Sequence, residues 1–374
     1  MTTHIVCLDG TNQTKSQQHP TNIAKIFDSI GGHPTDAGNG SWETKIEAGG
    51  GGAVVSLGKY LPGVGSQGNA VLKVLGNAFG DGIAEPIIRG YTFLSRAFAA
   101  GDKIIITGFS RGATAARALA GFVAVRGLLN RSRYNVNDKD AAYMRAISAW
   151  YAYRAGRPDF ANQERLEWIQ RRLDGGLPGL TNADYTAPLQ IAAVGVFDTV
   201  SSLGLPHLDW NGNAVFDFSI CDTTLNANVQ RGFHALAADE TRDLFSPTYW
   251  AERAGIVQEI FPGSHSNVGG GYPERGLSDG ALEWMLANLE TAGLVCDRSK
   301  IKPMIGINPF DPARDDALIF PFKATPLRSR AFPGCARASA LLTQRWNRPV
   351  EILPGDGKPL YKAKGTYADG RAIL

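Results

Sequence analysis

The chain alternates short apolar runs with longer stretches whose apolar residues recur every three or four positions, the pattern of a buried parallel sheet covered by helices. His4 to Leu8 predicts a short buried strand ending at Asp9-Gly10-Thr11-Asn12, and Asn22 to Ile30 a helix capped by Thr21. Ile83, Ile87, Tyr91, Leu94 and Phe98 share one face of a helix over 83–99, closed by Gly101-Asp102. The β-branched run from Lys103 to Phe109 predicts a central strand. Arg111 to Val125 follows as a helix whose many alanines let it lie close on the sheet, and further strands are expected at Ile191–Phe197 and Val257–Phe261. The glycine-rich segment 49–82 predicts a long surface loop holding at least one helical stretch, and Phe233 to Asp239 a helical run headed by His234. Residues 131–175, carrying Tyr143, Trp150, Tyr151, Tyr153 and Trp168, predict about two amphipathic helices inserted over the sheet, where they could serve as a lid or as ordinary packing. Residues 300–374, rich in Pro and Arg, predict a C-terminal wrap. The expectation is an α/β fold in a single domain over 1–374, α/β-hydrolase-like, with a mostly parallel sheet and helices on both faces.

Composition narrows the function. With 44% hydrophobic and 20% charged residues, the chain can bury a sizeable core, which excludes disorder. Lys and Arg exceed Asp and Glu by only 38 to 35 and are scattered, so nucleic acid is not an expected partner. Cys7, Cys221, Cys296 and Cys335 form no CxxC pair and have no neighbouring His, so free buried thiols are expected, with no metal and no cofactor. The first residues lack a basic, then apolar, leader pattern, and no run approaches the roughly 20 apolar residues of a membrane span, so a soluble, cytoplasmically made product is expected. Glycine is the unusual entry in the composition: 44 of 374 residues, 44/374 or about 12%, against an average near 7%.

Five residues give that excess a chemical meaning. Gly108-Phe109-Ser110-Arg111-Gly112 matches the G-x-S-x-G elbow, in which a serine sits on a strained strand-to-helix turn with its hydroxyl exposed above the sheet. Gly108 and Gly112 are required because such a turn brings the two flanking positions together. The pattern alone is common at this glycine content, but here a β-branched strand ends just before Ser110 and a small-residue helix starts just after it. A serine hydroxyl needs a base and a group that orients the base. In hydrolases of this type the order is Ser, acid, His, and only His207, His234 and His265 follow Ser110. His265 is favoured because it follows a strand in a glycine-rich segment that reads as a mobile loop, loosened by Gly269, Gly270 and Gly271. Asp198, at the end of Ile191–Phe197, is the favoured acid, with Asp239, Glu240 and Asp279 as rivals. The oxyanion donors expected are the Arg111 N–H and an N–H of the Gly10–Thr11 loop. Gly63-Val-Gly-Ser-Gln-Gly68 satisfies a dinucleotide fingerprint only superficially, since Pro62 interrupts the strand pattern, and Gly58-Lys59 lacks the rest of a Walker loop.

These residues also carry a resemblance. Leu8-Asp-Gly-Thr-Asn12, Pro62-Gly-Val-Gly65, Phe79-Gly-Asp-Gly82, Gly108-Phe-Ser-Arg-Gly-Ala113, Val196-Phe-Asp-Thr-Val200, Asp239-Glu240, Phe261-Pro-Gly-Ser-His265, Val268-Gly-Gly-Gly-Tyr272 and Leu277-Ser-Asp279 resemble the catalytic domains of type VI secretion phospholipase effectors. The resemblance covers most of residues 5–290 and implies serine acyl hydrolysis, often of phospholipids, through a Ser, Asp, His triad. It also implies a lipid or small-ester substrate, transient membrane-surface contact, signal-less export by a type VI secretion system, and an immunity or delivery protein as partner. The chain carries Asn267 where the family usually has Asp, and Asn12 where it usually has Trp. Two other readings stand beside it: a general carboxylesterase or thioesterase, and a non-catalytic binding protein on the same fold.

Overall fold

The computed structural model describes residues 1–47, 52–63, 83–155, 177–200, 207–208, 214–215, 223–318, 326–355 and 357–374. Its centre is a nine-stranded sheet. β1 (Thr3–Leu8) lies between β4 (Val54–Leu61) and β5 (Lys103–Phe109), and β6 (Ile191–Phe197), β9 (Val229–Ala237) and β10 (Ile256–Phe261) continue beyond β5, all parallel. The antiparallel strands β2 (Thr35–Gly38) and β3 (Ser41–Glu47) close the β4 edge, and the two-residue β13 (Arg337–Ala338) closes the other. Short pairs form outside it: β7 (His207–Leu208) with β8 (Ala214–Val215), β11 (Ala313–Arg314) with β14 (Ile352–Leu353), and β12 (Ala331–Phe332) with β15 (Thr366–Tyr367).

Both faces of the sheet are covered, which is why its strands read as unbroken apolar runs. Side chains alternate across the pleat. Val6, Leu8, Ile104, Ile106, Val194 and Val196 face the cluster built by α2 (Ala84–Ala97), α3 (Arg111–Arg126) and α4 (Lys139–Ala155). Ile5, Cys7, Ile105, Ala193 and Phe197 face the one built by α1 (Asn22–Ser29) and the helix Gly276–Thr291. The alanines of α3 allow close approach, and α4 joins it through an aromatic chain: Phe122 stacks on Tyr91 at 4.2 Å and meets the Trp150 edge at 5.4 Å. The described part of the expected lid, α4, therefore sends Trp150, Tyr151 and Tyr153 into the core; residues 156–175 lie outside the described residues.

Thr21 caps α1 as expected, accepting from the Ala24 N–H. Two local expectations are corrected. The glycine-rich segment is not a loop throughout: Val54–Leu61 is β4, and Gly58 is there because a side chain would press on Ile30 of the covering helix. His234 heads no helix; it lies within β9, fully buried. A strand buried on both faces and rich in Ala and Leu carries no period that separates it from a buried helix. Among the described residues no helix is long and apolar enough to cross a membrane.

Candidate active site

Because β1, β5, β6, β9 and β10 run in one direction, the residues that follow them gather along one edge of the sheet. Asp9 follows β1, Ser110 follows β5, Asp198 follows β6, Asp239 comes soon after β9 and His265 soon after β10. After β1 the chain builds β2, β3 and β4 on one side and then crosses to β5 on the other, so this edge includes the topological switch point where open α/β sheets bind ligands.

Ser110 is strained. Its φ of 58° and ψ of −127° lie where residues other than glycine rarely sit, a conformation that costs about 1–3 kcal/mol and persists only under outside constraint. The constraints are visible: its N–H donates to the Phe197 carbonyl at 3.1 Å, and its own carbonyl receives the Ala113 and Thr114 N–H groups. A methyl group at Gly108 would overlap the Gly112 carbonyl, and one at Gly112 the carbonyls of Leu8 and Asp9. Both elbow glycines are thus needed for space.

Asp198 also has positive φ, 41°, which aspartate tolerates better than most residues. Its N–H extends the ladder to the Ala235 carbonyl at 2.8 Å, while its carboxylate turns to His265, with Oδ2 2.6 Å from Nδ1. Asp198 is fully buried and His265 nearly so. The ring of His265 is held between Phe109 at 4.6 Å and Phe245 at 5.0 Å, and its Nε2 is buried with no hydrogen-bond partner among the described residues. The histidine opens α5 (His265–Gly269), whose N-terminus is closed by Ser264 and Asn267 in a reciprocal capping box. The expected mobile loop is therefore a packed helical turn, and Gly269 is there for contact, since a methyl group would overlap the Phe109 ring.

The rival groups are occupied elsewhere. His234 Nε2 accepts from the Thr199 N–H at 3.1 Å, and burial followed by the nearby Arg117 charge pushes its pKa down to about 3. Asp279 pairs with Lys25 at 2.5 Å. Asp239 accepts from the Gly263 N–H and the Tyr361 hydroxyl, each at 2.7 Å, and Glu240 takes a two-point bond from Arg242. His207 lies in β7, whose side chains fall outside the described residues.

The Gly10–Thr11 loop stands beside the serine: a methyl group at Gly10 would lie 2.9 Å from the Phe109 ring and 3.4 Å from Ser110 Cβ. The Gly10 N–H, however, donates to Asp9 Oδ1 at 2.7 Å, which leaves Thr11 as the loop residue able to supply an oxyanion donor. Arg111 Nε bonds Thr11 Oγ1 and ties the loop to the start of α3. Asp9 organises this corner, accepting also from the hydroxyls of Thr21 at 2.7 Å and Tyr60 at 2.6 Å. Burial raises its pKa to about 6 against those hydrogen bonds. Among the described residues no three His, Cys, Asp or Glu side chains converge as a metal site would require.

The family model for "T6SS, Phospholipase effector Tle1-like, catalytic domain" matches residues 2–288. The chain belongs to this Tle1-like family. A curated uncharacterized protein of Saccharomyces cerevisiae is 28% identical over 214 residues, covering 54% of this chain and 27% of that protein. A crystal structure of an uncharacterized Pseudomonas aeruginosa protein is 17% identical with a TM-score of 0.39, covering 82% of this chain and 49% of that one. The structure of the Tle1 effector bound to the VgrG spike of the type 6 secretion system is 18% identical with a TM-score of 0.38, covering 73% of this chain and 52% of that one. The chain spans between about a quarter and about a half of the length of these relatives.

Beyond the matched Tle1-like region, sequence reasoning missed Arg330. Its guanidinium grips Asp198 at both oxygens, Nη1 to Oδ1 at 2.5 Å and Nη2 to Oδ2 at 2.9 Å. Burial opposes ionisation of Asp198, but the Arg330 charge and the bonds from His265 and Arg330 hold its carboxyl well below the usual carboxylate range. No local signal marks Arg330, which lies in irregular chain 132 residues from its partner. Asn267 holds the turn that carries His265: its Oδ1 accepts from the Ser264 and Arg314 N–H groups at 3.2 and 3.0 Å.

Proposed function

We propose that this Tle1-like domain is a serine ester hydrolase, most specifically a phospholipase of the A type, acting through Ser110, His265 and Asp198. The observation that carries the reading is the His265 Nδ1 to Asp198 Oδ2 contact of 2.6 Å, which fixes the ring so that Nε2, left without a partner among the described residues, is the atom that can accept a proton. Ser110 Oγ attacks the ester carbonyl and passes its proton to His265 Nε2. The backbone N–H groups of Arg111 and Thr11 stabilise the oxyanion, and His265 then protonates the departing alcohol. Water repeats the sequence on the acyl-enzyme, with His265 as base, and releases the fatty acid. The strained backbone at Ser110 supports this assignment, because such strain gathers at functional positions.

The substrate class follows from the family, which is one of phospholipase effectors. By the same likeness we propose delivery through a type VI secretion spike, as the solved Tle1 effector is bound to VgrG, and only transient contact with the bilayer surface. The test is incubation of the purified chain with phosphatidylcholine and phosphatidylethanolamine vesicles carrying distinguishable acyl chains. Released fatty acid with the matching lysophospholipid is expected from the wild type. Ser110→Ala should lower kcat by about 10⁴-fold or more, since triad members act as a unit, and should abolish labelling by a fluorophosphonate probe. Equal labelling of the variant and the wild type would sink the assignment.

A further inference from the structure

Resting on that triad reading, we propose that Arg330 is a positioning residue of the esterase site: its two-point ion pair with Asp198 orients the carboxylate toward His265 and holds it there. Arg330 comes from the segment beyond residue 288, where the family match ends.

Geometry supports the orienting role. Asp198 is fully buried and all its contacts are short: Arg330 and the Ala237 N–H on Oδ1 at 2.5 and 2.9 Å, Arg330 and His265 on Oδ2 at 2.9 and 2.6 Å. Arg330 is itself fixed, because Nη1 also donates to the Ala237 carbonyl at 2.9 Å and Nη2 to the Phe245 carbonyl at 2.8 Å. The guanidinium fork thus spans from the end of β9 to the residue whose ring packs on His265, and the carboxylate cannot rotate without breaking it.

The experiment compares full-length wild type, Arg330→Gln, Arg330→Lys and Ser110→Ala by kcat and KM for the ester cleaved by the wild type, with circular dichroism and the urea midpoint as controls of the fold. Arg330→Gln should lower kcat by about tenfold, the cost of a displaced catalytic group, with KM nearly unchanged. Arg330→Lys keeps the charge and loses the fork, so its kcat should stay below the wild-type value. A wild-type kcat in folded Arg330→Gln, or a loss carried by KM with kcat unchanged, overturns the proposal. Should Arg330→Gln fail to fold by circular dichroism, Arg330→Lys decides, since wild-type kcat in that variant overturns the orienting role. Activity retained by Ser110→Ala would instead sink the triad reading.

Discussion

A methyl group at Gly269 would occupy the space of the Phe109 ring, and that ring in turn packs on His265. One glycine therefore sets the distance between the segment bearing Ser110 and the turn bearing His265. Gly269→Ala should cost about 1–3 kcal/mol, the usual cost of overpacking, read as a lower urea midpoint with an unchanged slope, and should depress esterase activity through displacement of His265. A variant with the wild-type midpoint would contradict this. Asp9 gives a second prediction at this scale. Its pKa is raised from the usual carboxylate value to about 6, so its neutral form is favoured in the folded state. The stability it contributes is present below about pH 4 and lost as pH rises through about 6. Asp9→Asn, which cannot ionise, should gain relative to the wild type between pH 4 and 7 by about 2–3 kcal/mol; equal stability differences by urea denaturation at the two pH values would refute it.

Among the elements, those buried on both faces and bounded by turn residues were legible in the chain's pattern. β1, β5 and β6, the α3 run of small residues and the Thr21 cap were all readable to within a residue or so. The positions of the candidate residues were legible with them, because Ser110 and Asp198 follow directly on strand ends and His265 comes four residues after β10. Two kinds of element escaped. β9 is apolar on both faces and mixes helix-favouring with strand-favouring residues, so period could not separate the two states. β4 sits among glycines that signal a loop locally, and the contact of Ile30 over Gly58 is a tertiary reason for one of them that no local pattern reveals. The short α5 has too few residues for periodicity, although Ser264 and Asn267 three positions apart are a capping signal in themselves. Arg330, in irregular chain, and the Arg314 N–H of the two-residue β11 were illegible for another reason: both act through tertiary contacts, which leave no local period.

At the level of the molecule, those contacts draw the region beyond the family match into the centre of the fold. Residues after 288 supply the Arg330 clamp on Asp198, the Arg314 bond to Asn267, the Tyr361 hydroxyl and Lys364 N–H on Asp239, and the edge strand β13. Tyr361, Ile373 and Phe332 build a buried cluster of their own against Leu236 and Ile260 of the sheet. A chain ending at residue 288 should consequently be insoluble or lack a cooperative unfolding transition and show no esterase activity. A folded, active 1–288 fragment, by circular dichroism and lipid hydrolysis, would show that the later segment is dispensable.

The order of synthesis gives the Arg330 contact a further meaning. Ser110, Asp198 and His265 all leave the ribosome before Arg330 does, and until it arrives Asp198 is a buried carboxylate without its cation. The emerging chain thus carries all three residues of the proposed triad while lacking the side chain that fixes Asp198. On that reading, full activity arrives only after residue 330 has been made.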